Sequence, residues 1–113
     1  MRKAKHKLAN AEQRHSVDPK TFVIPPREAR EDLWPGDLVK LIFEDIGERL
    51  WVKVLKQNPD GSYDGFVTSE PLDASIDKGD NVHFNPEHIT EIEAGHWHKL
   101  RAKWPGSKKP TLH

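Results

Sequence analysis

Two stretches with an apolar residue at every second position, lying close together, constrain this chain more than anything else in it. In Leu38-Val39-Lys40-Leu41-Ile42-Phe43, residues 39, 41 and 43 are apolar, and in Leu50-Trp51-Val52-Lys53-Val54-Leu55-Lys56, residues 50, 52 and 54 are, leaving Trp51 and Lys53 on the opposite side. Successive side chains of a strand point to opposite faces, so this period of two marks two strands that each turn one face to a core. The second strand runs into Asn58-Pro59-Asp60-Gly61, where proline presets φ at the first turn position and glycine takes a later positive φ. Tyr63 to Thr68 then reads as the returning arm of a hairpin. Val82 to Phe84 and Ile89 to Ile92 add two brief strands, with one turn of helix at Pro86-Glu87-His88 between them. The expected core is one face of each strand: Val39, Leu41, Phe43, Leu50, Val52, Val54, Val67, Val82, Phe84 and Ile89.

Before the first strand the signals weaken. Ala9 to His15 favours a short helix that stops ahead of Asp18-Pro19, because the residue before proline avoids the helical region. Thr21 to Ile24 reads as an extended segment laid on the domain, Phe22 to Pro26 being the part expected to cover Trp51, and Arg27 to Leu33 as one or two helical turns. Five short strands with a tight hairpin predict a mainly β fold, a small SH3-like five-stranded antiparallel barrel. The alternative is an open antiparallel sheet covered by an N-terminal helix. The chain divides into a basic N-terminal segment (1–20), the β domain (21–93) and a basic C-terminal tail (94–113). In the tail, Trp97, Leu100 and Trp104 recur at helical spacing before the sequence turns to Pro105-Gly106 and Pro110.

Composition then excludes several classes. With 35% hydrophobic and 32% charged residues, a large core is not expected. No apolar run exceeds that of Leu41-Ile42-Phe43, far short of the roughly 18 residues of a membrane-spanning helix. The first twenty residues have no apolar stretch, so no secretory signal is expected and a cytoplasmic location is. The absence of cysteine removes disulfides and thiolate chemistry. The formal net charge of zero hides a strong asymmetry, with basic ends around an acidic middle that holds sixteen acidic and six basic residues between positions 28 and 93.

The order of motifs also resembles a known family. Pro35-Gly36-Asp37 leading into Leu38 to Glu44, then Glu48 to Val54, Gly65, Glu70-Pro71, Gly79-Asp80, Val82, Phe84 and Pro86-Glu87-His88-Ile89, is similar to the uncharacterised bacterial family catalogued as domain of unknown function 2314. The similarity covers roughly residues 22–92. It departs at Ser69, where an asparagine is often found nearby, and at Glu91 or Glu93, where an aspartate is usual. The resemblance implies a compact bacterial β domain and brings no activity or catalytic residue with it.

No residue pattern calls for catalysis. Ser16, Ser62, Ser69, Ser75 and Ser107 lie in loops or tails, outside any Gly-x-Ser-x-Gly elbow, and the seven glycines are dispersed as turn markers. His83, His88, His96 and His98 could only form a metal centre by converging, and their spacing follows no established ligand motif, so neither a metal nor a cofactor is expected. What remains is a surface. Trp51 alternates out of phase with the core, which places it, with Phe66 and the acidic residues Glu70, Asp73 and Asp77 of the following loop, on a face suited to docking a partner protein. A non-enzymatic interaction or regulatory domain is therefore the leading expectation. The alternative is a nucleic-acid-associated protein using Lys3, Lys5, Lys7, Trp97, Lys99, Arg101, Lys103 and Trp104, where cations interleave with rings that stack on bases.

Overall fold

The computed structural model describes residues 6–94 of the chain. Two short helices, α1 (Ala11–Val17) and α2 (Arg27–Arg30), precede five strands: β1 (Leu38–Phe43), β2 (Glu48–Gln57), β3 (Tyr63–Val67), β4 (Asn81–Phe84) and β5 (Ile89–Glu93). A 3₁₀ turn, Pro86–His88, links the last two. The strands form one antiparallel sheet in the order β4-β3-β2-β1-β5.

The alternation read from the sequence sets the register. Val67, Val52, Val39 and Ile92 lie side by side across four strands, and Leu50, Leu41 and Ile89 form a parallel row. Every residue expected in the core is buried. Seven hydrophobic residues outside that expected set are buried as well: Ala9, Ala11, Leu33, Trp34, Ile42, Tyr63 and Ile76.

The sheet is not closed, which corrects the expectation of a barrel: β4 and β5 are its two edges. The reason lies in what covers the inner face. Leu33, from the segment entering β1, and Ile76, from the β3–β4 loop, belong to the same buried cluster as the strand residues, and Leu8, Ile46 and Ile92 pack around it. Apolar area is thus buried by connecting segments without the sheet curling onto itself. The open-sheet alternative is nearer, although α1 packs against the 3₁₀ turn. Its contribution to the sheet is made ahead of the helix, where Leu8 bridges Phe43 and the Ala9 N–H donates to the Ile42 carbonyl at 2.9 Å.

Two local features fix the hairpin. Gly61, at φ 91°, closes the Asn58–Gly61 turn with its N–H on the Asn58 carbonyl at 2.9 Å. Gly65 is required by space: a Cβ there would stand 2.3 Å from the Lys53 carbonyl oxygen and 2.9 Å from a Val52 methyl. It sits beside the irregularity between Val54 and Lys56, where β2 gains a residue relative to β3. Tyr63 joins the hairpin to the segment before β1. Its hydroxyl donates to the Arg30 carbonyl at 2.7 Å and accepts the Leu33 N–H at 3.3 Å, its ring stacks on Phe84, and burial pushes its pKa up to about 12.

Among the described residues no helix is long and apolar enough to cross a membrane.

Candidate functional site

The face expected to dock a partner is assembled where β3 parts from β2. Pairing between them ends at Val52 and Val67, and the chain then continues alongside β2 through one further backbone bond and, after it, side-chain bonds. The Thr68 N–H donates to the Trp51 carbonyl at 2.9 Å, and the Trp51 N–H donates to Ser69 Oγ at 2.8 Å. Three residues later the Glu48 carboxylate accepts two backbone donors, one on each oxygen: the Leu72 N–H at 2.8 Å and the Asp73 N–H at 2.9 Å. Asp73 in turn accepts the N–H and hydroxyl of Ser75. Asp80 accepts the Asp77 N–H at 2.9 Å, and buried Ile76 anchors the loop from beneath.

Acidic side chains are therefore the scaffold of this loop. Charge-assisted bonds to backbone N–H groups hold turns that have no ladder of their own. The Ser75 hydroxyl, followed by its N–H, keeps the Asp73 carboxyl below the usual carboxylate range. The result is a connection with an irregular path and fixed ends. At its tip Leu72 stands 93% exposed, between Pro71 and Asp73.

The residues singled out in the sequence fall into distinct positions. Trp51 is half-buried on the outer face of β2, and what stands over its ring is the Lys40 ammonium, 4.8 Å from the centroid. Lys40 also pairs with Glu91 at 3.0 Å. The segment expected to lie over Trp51 returns to α1 instead, with the Phe22 N–H on the Asp18 carbonyl and the Phe22 carbonyl beside His15 Nδ1. Phe66 is half-buried opposite Lys53 and Asn81. Glu70 is exposed and meets Lys78 at 3.5 Å, Asp73 is half-buried at the loop's turn, and Asp77 is exposed at its base. Trp51, Glu70 and Asp73 are thus brought to one end of the sheet, while Phe66 lies further along it toward the β4 edge.

Sequence reasoning passed over Leu72 and Glu48. Leu72 has no apolar partner at strand or helix spacing, so periodicity gives it no role; its signal was its isolation within an acidic stretch. Glu48 stands just ahead of the alternating stretch 50–56, and only the chain's return shows its two acceptor oxygens facing two amides.

Of the candidate nucleic-acid contacts, Lys7 alone is among the described residues; it is exposed, and its carbonyl accepts the Glu44 N–H at 2.8 Å. Lys3, Lys5, Trp97, Lys99, Arg101, Lys103 and Trp104 lie outside the described residues, as do His96 and His98. His83 and His88 are engaged separately: His83 Nδ1 lies 2.9 Å from an oxygen of Asp64, its cross-strand partner on β3, and His88 Nδ1 accepts the Asn85 N–H at 3.0 Å in the 3₁₀ turn. Among the described residues no three histidine or acidic side chains are grouped to hold a metal ion.

A polar cleft of about 390 Å³ lies at the other end of the molecule, between the helices, the Asn58–Gly61 turn and the 3₁₀ turn. Beside it, buried Arg30 ties three elements together, pairing with Glu12 at 2.7 Å and donating to the Pro25 and Pro86 carbonyls. Its chemistry is that of a structural clamp. Comparison with protein-family models, with curated proteins and with solved structures returns no match to the chain.

Proposed function

We propose that the protein is a small non-enzymatic interaction domain of the bacterial cytoplasm that docks a basic protein partner on its acidic loop end, with Leu72 as the apolar anchor and Trp51, Glu70 and Asp73 around it. The observation that carries this reading is the combination at Leu72: a side chain left 93% in water on a backbone whose N–H, with that of Asp73 next to it, is held by the Glu48 carboxylate. Burying such a side chain is worth about 1.5–3 kcal/mol, and a backbone already ordered adds little entropy cost on binding. The described residues hold all eighteen acidic side chains of the protein against ten basic ones, a net charge of −8 with histidine neutral. That field favours a cationic partner and speeds its approach.

The family resemblance brings no activity of its own, so the reading rests on this surface.

A photo-crosslinking residue placed at position 72 in the native host tests it. One defined protein adduct is expected from position 72, absent when the same residue stands at position 17, where Val17 is 81% exposed on α1. Glu70→Lys should weaken that adduct. No adduct at position 72, or equal adducts at both positions, overturns the reading, and a nucleic-acid adduct would favour the alternative.

A further inference from the structure

His6 reaches the same loop from the opposite end of the chain. Its side chain is 9% exposed and lies edge-on to the Phe43 ring, with centroids 6.0 Å apart. Nδ1 is 2.6 Å from an Asp45 carboxylate oxygen in the β1–β2 turn, and Nε2 is 3.4 Å from the Ser75 carbonyl oxygen in the β3–β4 loop. Both partners are acceptors only. A neutral imidazole has one N–H and one lone pair, so it can satisfy one of them and must turn a lone pair toward the other. Only the imidazolium donates to both.

We propose that His6 is a proton-operated latch on the loop that presents Leu72. Protonated, it clamps the β1–β2 turn and the β3–β4 loop to the N-terminal segment. Neutral, it keeps the short bond to Asp45 and sets a lone pair against the Ser75 carbonyl, so the loop is released at that point while Glu48 still holds Leu72 and Asp73. The charged groups facing the ring are Asp45 and Asp73, both acidic; Phe43 is apolar, and the chain neighbour Lys7 is exposed. The Asp45 hydrogen bond is the chief reason the imidazole is held above its ordinary pKa, with burial opposing it. The latch is then closed below the ordinary value of 6.5 and opens as pH rises through the higher value in the folded protein.

As a regulator of docking, the latch rests on the function proposed above; as a property of the loop it does not. The test is therefore made on the free full-length protein. Histidine titration by NMR is combined with amide exchange at Ser75 and Ile76, corrected for the intrinsic pH dependence of exchange. Protection at these amides is expected to fall about tenfold, the worth of one hydrogen bond to a charged group, in step with loss of the His6 proton. His6→Gln and Asp45→Asn should each remove that step. Flat protection across the titration in the wild-type protein, or an unchanged step in His6→Gln, overturns the latch. A clear step with no adduct at position 72 keeps the latch and removes the docking, whereas flat protection with a clear adduct does the reverse.

Discussion

His6 and His88 are held for opposite protonation states, and the difference follows from what each ring nitrogen faces. His6 meets two acceptors, whereas His88 Nδ1 must keep its lone pair to receive the Asn85 N–H that starts the 3₁₀ turn. Burial, more than any neighbour, lowers the His88 pKa; Glu87 opposes the shift and His83 adds to it. A base whose pKa is depressed on folding contributes stability that is complete above its unfolded value and is lost as pH falls. The 3₁₀ turn should accordingly weaken below pH 6.5, the ordinary histidine value. In denaturant unfolding repeated across this range, His88→Gln, which keeps an acceptor without a titrating group, should flatten that acid-side decline. The His6 contribution runs the other way and is lost on the alkaline side, so the two variants should alter different limbs of one stability profile.

At the scale of elements, β2 is the organiser: it pairs with β1 along one edge and with β3 and then the 68–73 segment along the other. Its close approach to Gly65 makes a sharp prediction. Gly65→Ala would force a methyl group into the Lys53 carbonyl and should cost about 1–3 kcal/mol through overpacking, measurable as a lower midpoint in denaturant. The strands and their faces were legible because period two is a local signal, carried by residues such as Val52 and Val54 themselves. Openness was not, because closure depends on what else reaches the inner face. Leu33 and Ile76 sit in irregular segments, where burial follows from the path of the chain and leaves no period to read. Tyr63 was read as the start of a strand, yet its hydroxyl bonds to Arg30 and Leu33 are contacts across thirty or more positions. For the same reason the proposed docking surface was half legible: Trp51 announced itself by phase, and Leu72 needed Glu48 to give it a fixed position.

Across the whole molecule, charge is segregated by sequence. The described residues carry −8, while residues 1–5 and 95–113 together hold eight basic and no acidic side chains. Many of the carboxylates, among them Asp37, Glu48, Asp60, Asp73 and Asp80, accept backbone N–H groups in turns, so the acidic excess is part of how a loop-rich chain is held. Surplus like charge nevertheless repels itself, and salt screens that repulsion over about 8–10 Å at physiological strength. Thermal melts should show a fragment of residues 6–94 gaining stability with added salt, and the neutral full-length chain gaining less. An equal response in both would mean that the basic residues leave the energetics of the acidic body untouched.

The order of strands also governs how the chain finds its fold. The β2–β3 hairpin needs only the Asn58–Gly61 turn to meet, whereas β5 must return to β1, and the Thr90 hydroxyl reaches the Lys40 carbonyl across 50 positions of sequence. Closing so long a loop costs entropy before any contact repays it, so the hairpin is the natural nucleus and the β1–β5 seam the last to close. Until that seam forms, β1 keeps an unpaired edge in the nascent protein. It also lacks its lid, because Leu8 can bridge Phe43 only once the N-terminal segment has settled. When segments as far apart in sequence as Leu8 and Ile89–Glu93 complete the same strand, the sheet keeps one adhesive border for as long as that seam is open, and the speed of closing it sets how long neighbouring copies have to find it.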